Sequence, residues 1–453
     1  MSQVNLNAAG IDVGAGSHFA AVSEARSEKP VREFEAYKPE LYRLADWLLE
    51  WGVETVAMES TGVYWIPLFG VLEERGLEVM LVDPRRVKNV PGRKTDVLDC
   101  QWLQQLHTYG LLSGAFWPEA DIRQLRSYLR QRAMLVEYAA HHVQHMQKAL
   151  TQMNVKLQHV ISDITGKTGM DIIEAIVRGE RDPVKLAGLR DHRIRADEDT
   201  IAKSLRGHWR EEHIFELTQA LDLYRVYQAK INECDRQIEK RLASFEDISG
   251  GVPSDTKPGN RRSKGNAPRF DLRTHLFRMT GVDLTQIVGV DGYTVLKVVS
   301  GAGTDMTKWP AAKHFASWLG LSPNNKITGG KAISSRTKPS ANRAAKALRL
   351  AAYSLHRSGS ALGAFLRRKK ARPGAAKVIT ATAHKLARII YSMLRYGQEY
   401  VDAGAEYYES QYCRRVLRNA KHRAVQLGYE LVPKSNDQNQ PSSTLLVPTT
   451  AGA

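Results

Sequence analysis

Apolar residues in the first 110 positions form short runs whose spacing changes along the chain. The early runs are separated by glycine or polar breaks, a pattern typical of successive strands in a meander. Leucine and tryptophan then recur at helical spacing up to Gly52, which is placed to end a helix. The pattern predicts three strands, a helix, a strand, a helix, a strand and a helix, the first seven at 6–13, 18–23, 31–37, 41–51, 53–58, 65–75 and 77–82.

Two later stretches carry apolar residues at seven-residue steps, the spacing of a coiled coil. The first covers residues 119–157 and is interrupted only at Arg132, and the second covers residues 214–242. We predict that they pair as an antiparallel coiled-coil arm. Such an arm serves equally well as a spacer, a dimerisation element or a nucleic-acid clamp.

The remaining pattern divides the 453 residues further. Residues 250–269 are rich in glycine, proline, serine and charge, which predicts a linker or mobile loop, and the pattern from 272 to about 430 is helical. We therefore predict an α/β domain at 1–112 and an arm at 113–248, with a helical insertion near 160–212. A linker at 249–271 follows, then a basic helical domain at 272–432 and a disordered tail at 433–453.

The composition excludes several classes of protein. Hydrophobic residues make up 43% and charged residues 25%, as in ordinary globular proteins, and no apolar run approaches the ~20 residues that span a bilayer. The N-terminus lacks a secretory signal, and three widely separated cysteines fit a reducing compartment better than a structural zinc site. We expect a cytoplasmic protein with no membrane partner.

Charge is distributed unevenly around a net value of +17. Residues 306–398 contain 19 lysines and arginines and no acid, which leaves 46 basic and 48 acidic side chains elsewhere. A solvated surface normally mixes the two signs, so this one-signed region indicates a polyanionic partner.

Four acids stand where catalytic carboxylates are expected. Asp12 and Glu59 each follow an apolar strand, whereas Asp96 and Asp99 are three residues apart at a helix start and share one face. Any one of them fits an ordinary turn, cap or surface acid. Four carboxylates that converge need a cation among them, so together they predict a Mg²⁺ or Mn²⁺ site suited to phosphoryl transfer.

The strand and helix order resembles the ribonuclease H and RuvC-like nuclease fold. The segments GIDVGAGSHFAAV, AMESTGVYW and GRKTDVLDCQWL resemble three blocks of the insertion-sequence "one-ten" family of transposases, which are bridge-RNA-guided recombinases. This resemblance covers the first 110 residues and most of 280–400. It implies that Asp12, Glu59, Asp96 and Asp99 form an Asp-Glu-Asp-Asp metal site, with DNA as substrate, a structured guide RNA, a dimer or tetramer, and association with the nucleoid.

A second candidate site lies in the acid-free region. Hydroxyls, glycines and cations interleave over 326–338, which suits a loop that holds a phosphate beside a hydroxyl nucleophile, although a flexible basic loop has the same composition. The family carries its nucleophilic serine where this chain has Thr328. The resemblance therefore favours Thr328 as the nucleophile. The alternatives are that Ser334 or Ser335 has taken this role, or that strand joining is impaired.

One further segment resembles a helix-hairpin-helix turn of the family, residues 287–293. Asp291 stands where a second glycine is usual, so packing is as good an interpretation as phosphate contact. The cations expected at nucleic acid flank the carboxylates or lie in the acid-free region: Arg85, Arg86, Lys88, Arg93, Lys94, Lys326, Lys331, Arg336, Lys338, Arg343, Arg367, Arg368, Lys369 and Lys370.

Three functions fit these features. The first is a DNA transposase or recombinase that uses divalent metal and a threonine or serine nucleophile. The second is a RuvC-like nuclease that uses the same carboxylates with water as nucleophile. The third is a non-catalytic nucleic-acid-binding protein descended from a transposase. The combination of acids and hydroxyl favours the first.

Overall fold

The computed structural model divides the chain into two compact units, Met1–Trp117 and Pro118–Ala453. The residues that it describes are 2–83, 96–253, 266–337, 339, 342–370, 374–432 and 447–448, without the side chains of Asp96, Ala332, Val447 and Pro448.

A five-stranded mixed sheet forms the centre of the first unit. Its order is β3-β2-β1-β4-β5, with β1 antiparallel to β2, β2 antiparallel to β3, and β1, β4 and β5 parallel. The predicted order of elements in this unit is confirmed. The elements are β1 (Ala8–Val13), β2 (Ser17–Ala21), β3 (Val31–Glu35), α1 (Lys38–Glu50), β4 (Thr55–Glu59), α2 (Trp65–Glu74), β5 (Glu78–Val82) and α3 (Asp96–Thr108).

The two faces of this sheet are covered differently. Ile11 and Met58 belong to an apolar core with Leu44 of α1 and Leu72 of α2, each fully buried. Because side chains alternate along a strand, the neighbouring residues of β1 and β4 face the other way, where α3 packs. This second face carries the predicted acids of the two strands.

The first unit runs to Trp117, after the end of α3. The Trp117 ring lies 4.5 Å from the Trp65 ring, and Gly114 forms a bridge with Val82 at the end of β5. The segment after α3 therefore completes the core next to α2.

Two long helices of the second unit, α4 (Ala120–Gln152) and α9 (Glu211–Ala243), pack antiparallel. Arg132 pairs with Asp235 near one end, and the ring of Tyr138 lies 5.8 Å from that of Tyr227 further along. Helix α4 is shorter than predicted because Asn154 adopts a left-handed conformation, with φ of 61°. Four short helices connect the pair: α5 (Leu157–Val160), α6 (Lys167–Val177), α7 (Pro183–Ala187) and α8 (Glu198–Ser204).

The remainder of the second unit is mainly helical. Within the region whose pattern is helical, β6 and β7 form an antiparallel hairpin where the sequence indicates a loop. Most of the predicted linker and tail lies outside the described residues. The elements are α10 (Leu272–Thr280), α11 (Gly292–Ala302), α12 (Ala312–Trp318), β6 (Lys326–Thr328), β7 (Lys331–Ser334), α13 (Arg343–Ser354), α14 (Ala361–Lys370), α15 (Ala375–Tyr396), α16 (Gly404–Gln426), β8 (Tyr429–Glu430) and β9 (Val447–Pro448), with 3-10 turns at Leu284–Gln286 and Leu355–Arg357.

None of the described helices has the length and apolar character required to cross a lipid bilayer.

Candidate functional site

Asp12 and Glu59 occupy matching positions on neighbouring parallel strands. The register pairs Ile11 with Met58, so the next residues along β1 and β4 are Asp12 and Glu59. Residues at matching positions project from the same face, with Cβ atoms about 5 Å apart in a typical sheet. Both side chains are half-buried, and both lie on the face that α3 covers.

Helix α3 lies directly against β1 at Gly10. A Cβ atom there would stand 2.9 Å from the Gln104 Cα and closer still to the backbone oxygen of Cys100. The absence of a side chain at Gly10 therefore permits a close approach by the helix backbone.

The direction of α3 brings its first turn to the acids on the strands. Its last turn is near the start of β4, where His107 Nε2 lies 2.9 Å from Thr55 Oγ1. Cys100 packs nearer the carboxyl end of β1, so Asp96 and Asp99, in the first turn, lie at the end of the sheet that carries Asp12. Asp99 is half-buried.

The Cys100 thiol is influenced by the charges of Asp12 and Asp99. It is buried and donates a hydrogen bond to the Val97 carbonyl oxygen at 3.1 Å. Burial, and then the negative charges of Asp12 and Asp99, raise the pKa of Cys100 to about 12. The negative charges of the two carboxylates thus act on one buried group.

The metal-ligand geometry is incomplete within the described part of the chain. Among the described residues, which exclude the Asp96 side chain, no three histidine, cysteine or acidic side chains are arranged to hold a metal ion. The fold places the backbone of Asp96 at the start of α3, one turn from Asp99.

Thr328 lies at the tip of the β6–β7 hairpin and is exposed. Gly329 and Gly330 form the two-residue turn, with φ of 55° and 75°. Positive φ at both positions is the requirement of a type I′ turn, which glycine meets without strain.

The hairpin register gives Thr328 a cationic neighbour. Lys331 is its cross-strand partner, and Lys326 pairs with Ser334 further from the tip. Cross-strand partners share a face, so the Thr328 hydroxyl and the Lys331 ammonium group are on one side of the hairpin. Ser335 follows the end of β7.

The turn before α11 is a packing and capping element. A Cβ at Gly289, whose φ is 87°, would lie 2.7 Å from Leu355 Cδ2. Asp291 caps the helix, accepting hydrogen bonds from Thr294 N at 2.8 Å and Thr294 Oγ1 at 2.6 Å. The carboxylate therefore occupies the helix N-terminus that a phosphate would need.

Several predicted nucleic-acid contacts already have partners within the chain. Arg368 forms an ion pair with Glu409 and lies over the Tyr412 ring, and Arg367 donates to the Ser358 carbonyl oxygen at 2.6 Å. Other predicted contacts are exposed, namely Lys326, Lys331, Arg343, Lys369 and Lys370. Arg336 is also exposed. The predicted cations Arg85, Arg86, Lys88, Arg93, Lys94 and Lys338 lie outside the described residues.

Two family models match the chain in the regions that carry these sites. A model for DEDD transposases of the IS110 type, described as a transposase, matches residues 9–155. A second, described as the transposase IS116/IS110/IS902 family, matches residues 283–366. No curated protein matches the chain. The first match includes Asp12, Glu59 and Asp99, the second includes Thr328, and the chain belongs to the IS110 family of transposases, enzymes that act on DNA.

Proposed function

We propose that this transposase cleaves and rejoins DNA with a divalent cation held by Asp12, Glu59, Asp96 and Asp99 and with the Thr328 hydroxyl as nucleophile. The observation that supports the proposal best is the placement of Asp12 and Glu59 at one register position, beneath the helix whose first turn carries Asp99. A cluster of half-buried acids at one end of a sheet is unfavourable without a counter-charge.

The donor set fits a hard divalent cation. Carboxylate oxygens are the ligands preferred by Mg²⁺ and Mn²⁺, whereas a soft thiol such as that of Cys100 suits other metals. When bound, such a cation neutralises charge on a scissile phosphate and orients the reacting groups.

Thr328 and Lys331 supply the groups for covalent strand transfer. Attack by Thr328 Oγ1 on phosphorus forms an O–P bond and breaks one ester bond, releasing a strand that ends in a hydroxyl and takes the proton from Thr328. The hydroxyl of a second strand then attacks the same phosphorus, and Thr328 recovers its proton. Lys331, on the same face of the hairpin, offsets negative charge on the phosphate throughout.

The resemblance to the family extends the proposal to a structured guide RNA that selects the DNA. It also suggests a dimer or tetramer in which the acidic site of one chain acts with the hairpin of another.

A cleavage and strand-exchange assay with Mg²⁺ tests the mechanism. We expect Asp12→Asn and Thr328→Ala to lose activity, Thr328→Ser to retain it, and the wild-type protein to form a covalent adduct with DNA. Thr328→Ser is the matched control because it keeps the hydroxyl and removes one methyl group.

The outcomes separate the alternatives. Cleavage by Thr328→Ala without an adduct indicates a nuclease that uses water, and loss of adduct from Ser334→Ala or Ser335→Ala alone moves the nucleophile to that serine. Unchanged activity in Asp12→Asn contradicts the carboxylate site itself.

A further inference from the structure

Three arginines of the second unit approach one another where α4, α11 and α13 meet. Arg126 of α4 donates to the carbonyl oxygens of Ser300 at 3.0 Å and Gly301 at 2.6 Å, at the end of α11. Gly301 packs against Ala344, because a Cβ at Gly301 would lie 3.3 Å from the Ala344 Cβ. This packing brings α4 to the first turn of α13, where Arg343 is exposed.

The positive charges in this group act on one another. Burial and the charge of Arg130 lower the pKa of Arg126 to about 10, and burial and the charge of Arg343 lower the pKa of Arg130. Guanidinium groups that lower one another's pKa repel each other. An anion bound between them relieves this repulsion.

The exposed face of α13 continues from this group. Arg343, Lys346, Leu350 and Tyr353 project within one sector of the helix, and Leu350 and Tyr353 are 59% and 65% exposed. This face of α13 therefore presents an exposed leucine and an exposed tyrosine beside two cations. Cations that contact phosphates beside an aromatic ring that stacks on a base are characteristic of proteins that bind single strands.

We propose that Arg130, Arg343, Lys346 and Tyr353 form a binding track for an unpaired nucleic-acid strand, with the arginines on its phosphates and Tyr353 stacked on a base. Arg126 positions the track by fixing α4 against α11. The nature of the partner rests on the proposed function, since a transposase handles single strands of DNA during exchange and of RNA if it is guided. Both sources offer the same phosphodiester chemistry.

Equilibrium binding of the full-length protein to labelled single-stranded DNA, single-stranded RNA and duplex DNA, measured over a range of salt, tests this track. Two phosphate contacts contribute about 1.4 to the slope of log affinity against log salt for a single strand, and we expect Arg130→Gln/Arg343→Gln to lose that contribution. The matched control is Arg236→Gln/Lys240→Gln, which removes the same charge from exposed positions of α9 and should keep the slope.

The aromatic position separates a single strand from a duplex. We expect Tyr353→Ala to weaken single-strand binding by roughly 5- to 150-fold, the range expected for loss of one stacked base, with Tyr353→Phe near wild type and duplex binding unchanged. The DNA and RNA probes identify which strand loses more. An unchanged salt slope in the arginine variant, or equal effects of Tyr353→Ala on single-strand and duplex binding, would overturn the proposal.

Two checks keep the proposal distinct from the mechanism. Circular dichroism and thermal melting of each variant show whether the fold is intact. Glu54→Gln, which removes an exposed acid of the first unit, should bind single strands as the wild type does, because the track lies in the second unit. If Asp12→Asn still cleaves DNA, the catalytic proposal fails while binding to the track is still measured, and normal binding by the track variants contradicts the track alone.

Discussion

Asp12 and Glu59 are neighbours at one register position of the parallel strands β1 and β4, on the face of the sheet that α3 covers. Like charges at neighbouring positions repel, and a bound cation offsets that repulsion. Removal of one of these acids should therefore lower catalytic activity and raise the stability of the metal-free protein. Such a trade-off between activity and stability is common at functional sites.

Replacement of Asp12 by asparagine tests this opposition. Without divalent metal, Asp12→Asn should melt a few degrees above the wild type because one repelling charge is removed. Added Mg²⁺ or Mn²⁺ should stabilise the wild type by about 2.7 kcal/mol at 100 times the dissociation constant and leave the variant nearly unchanged. Differential scanning calorimetry with and without metal measures both effects.

The control for this variant is Glu54→Gln, which removes an exposed charge of the same unit away from the cluster. It should show the metal-dependent gain of the wild type. Equal gains in Asp12→Asn and wild type would contradict a metal site at Asp12.

Gly10 holds the first turn of α3 at the acids, and an added methyl group should displace it. The Cβ of Gly10→Ala would meet backbone atoms of Cys100 and Gln104, which cannot rotate away as a side chain does. We expect a loss of about 3 kcal/mol, at the upper end of the cost of overpacking, with DNA cleavage reduced further because Asp99 moves. Urea denaturation and the cleavage assay measure the two effects.

Gly70→Ala is the matched control in the same unit. Gly70 is exposed within α2, and a Cβ there meets nothing within 4 Å among the described residues. Alanine should stabilise this helix position by up to about 1 kcal/mol and leave cleavage unchanged. A loss in Gly10→Ala no larger than the change in Gly70→Ala would show that α3 tolerates displacement.

The N-terminal elements could be predicted because each relies on local signals. Glycines such as Gly52 end elements, and the change from strand runs to helical spacing is visible over a few residues. The hairpin at Thr328 was not predicted, since strands of three and four residues are too short to display an alternating pattern.

Sequence patterns did not predict contacts between residues that are far apart along the chain. Arg132 appears in the sequence as an interruption of the heptads, whereas the structure pairs it with Asp235, 103 residues away. The approach of Arg130 to Arg343 depends on how α4 packs on α11, which no local spacing encodes. At Asp291 the sequence did give a signal, because the family usually has a glycine there. The structure gives the physical reason for the acid, since its side chain caps α11.

The Arg132–Asp235 pair should be a strong determinant of how α4 and α9 align. Arg132 is 1% exposed, donates to both Asp235 oxygens, and also donates to the Asn266 carbonyl oxygen at 2.9 Å. We expect Arg132→Met alone to cost about 3–5 kcal/mol, because Asp235 is left buried without a partner.

The double variant Arg132→Met/Asp235→Leu should recover most of that loss, since both buried charges are gone. Chemical denaturation of the two single variants and the double variant gives the coupling free energy. Additive losses would mean that the pair contributes little beyond the separate packing of its members.

His18 should make the first unit sensitive to acid. Its side chain is 2% exposed on β2, where the register places it between Val13 and Phe34, and burial lowers its pKa below the ordinary 6.5. The unfolded chain therefore binds a proton at His18 more readily than the folded chain does, so stability is full above pH 6.5 and falls as the pH drops below it, by at most about 1.4 kcal/mol per pH unit. Thermal unfolding followed by tryptophan fluorescence from about pH 8 to about pH 5 should show a shallower acid dependence for His18→Leu than for wild type.

The control is His192→Gln, at a histidine side chain that is 88% exposed, and it should match the wild type. If His18→Leu keeps the acid dependence of the wild type, other groups cause the effect.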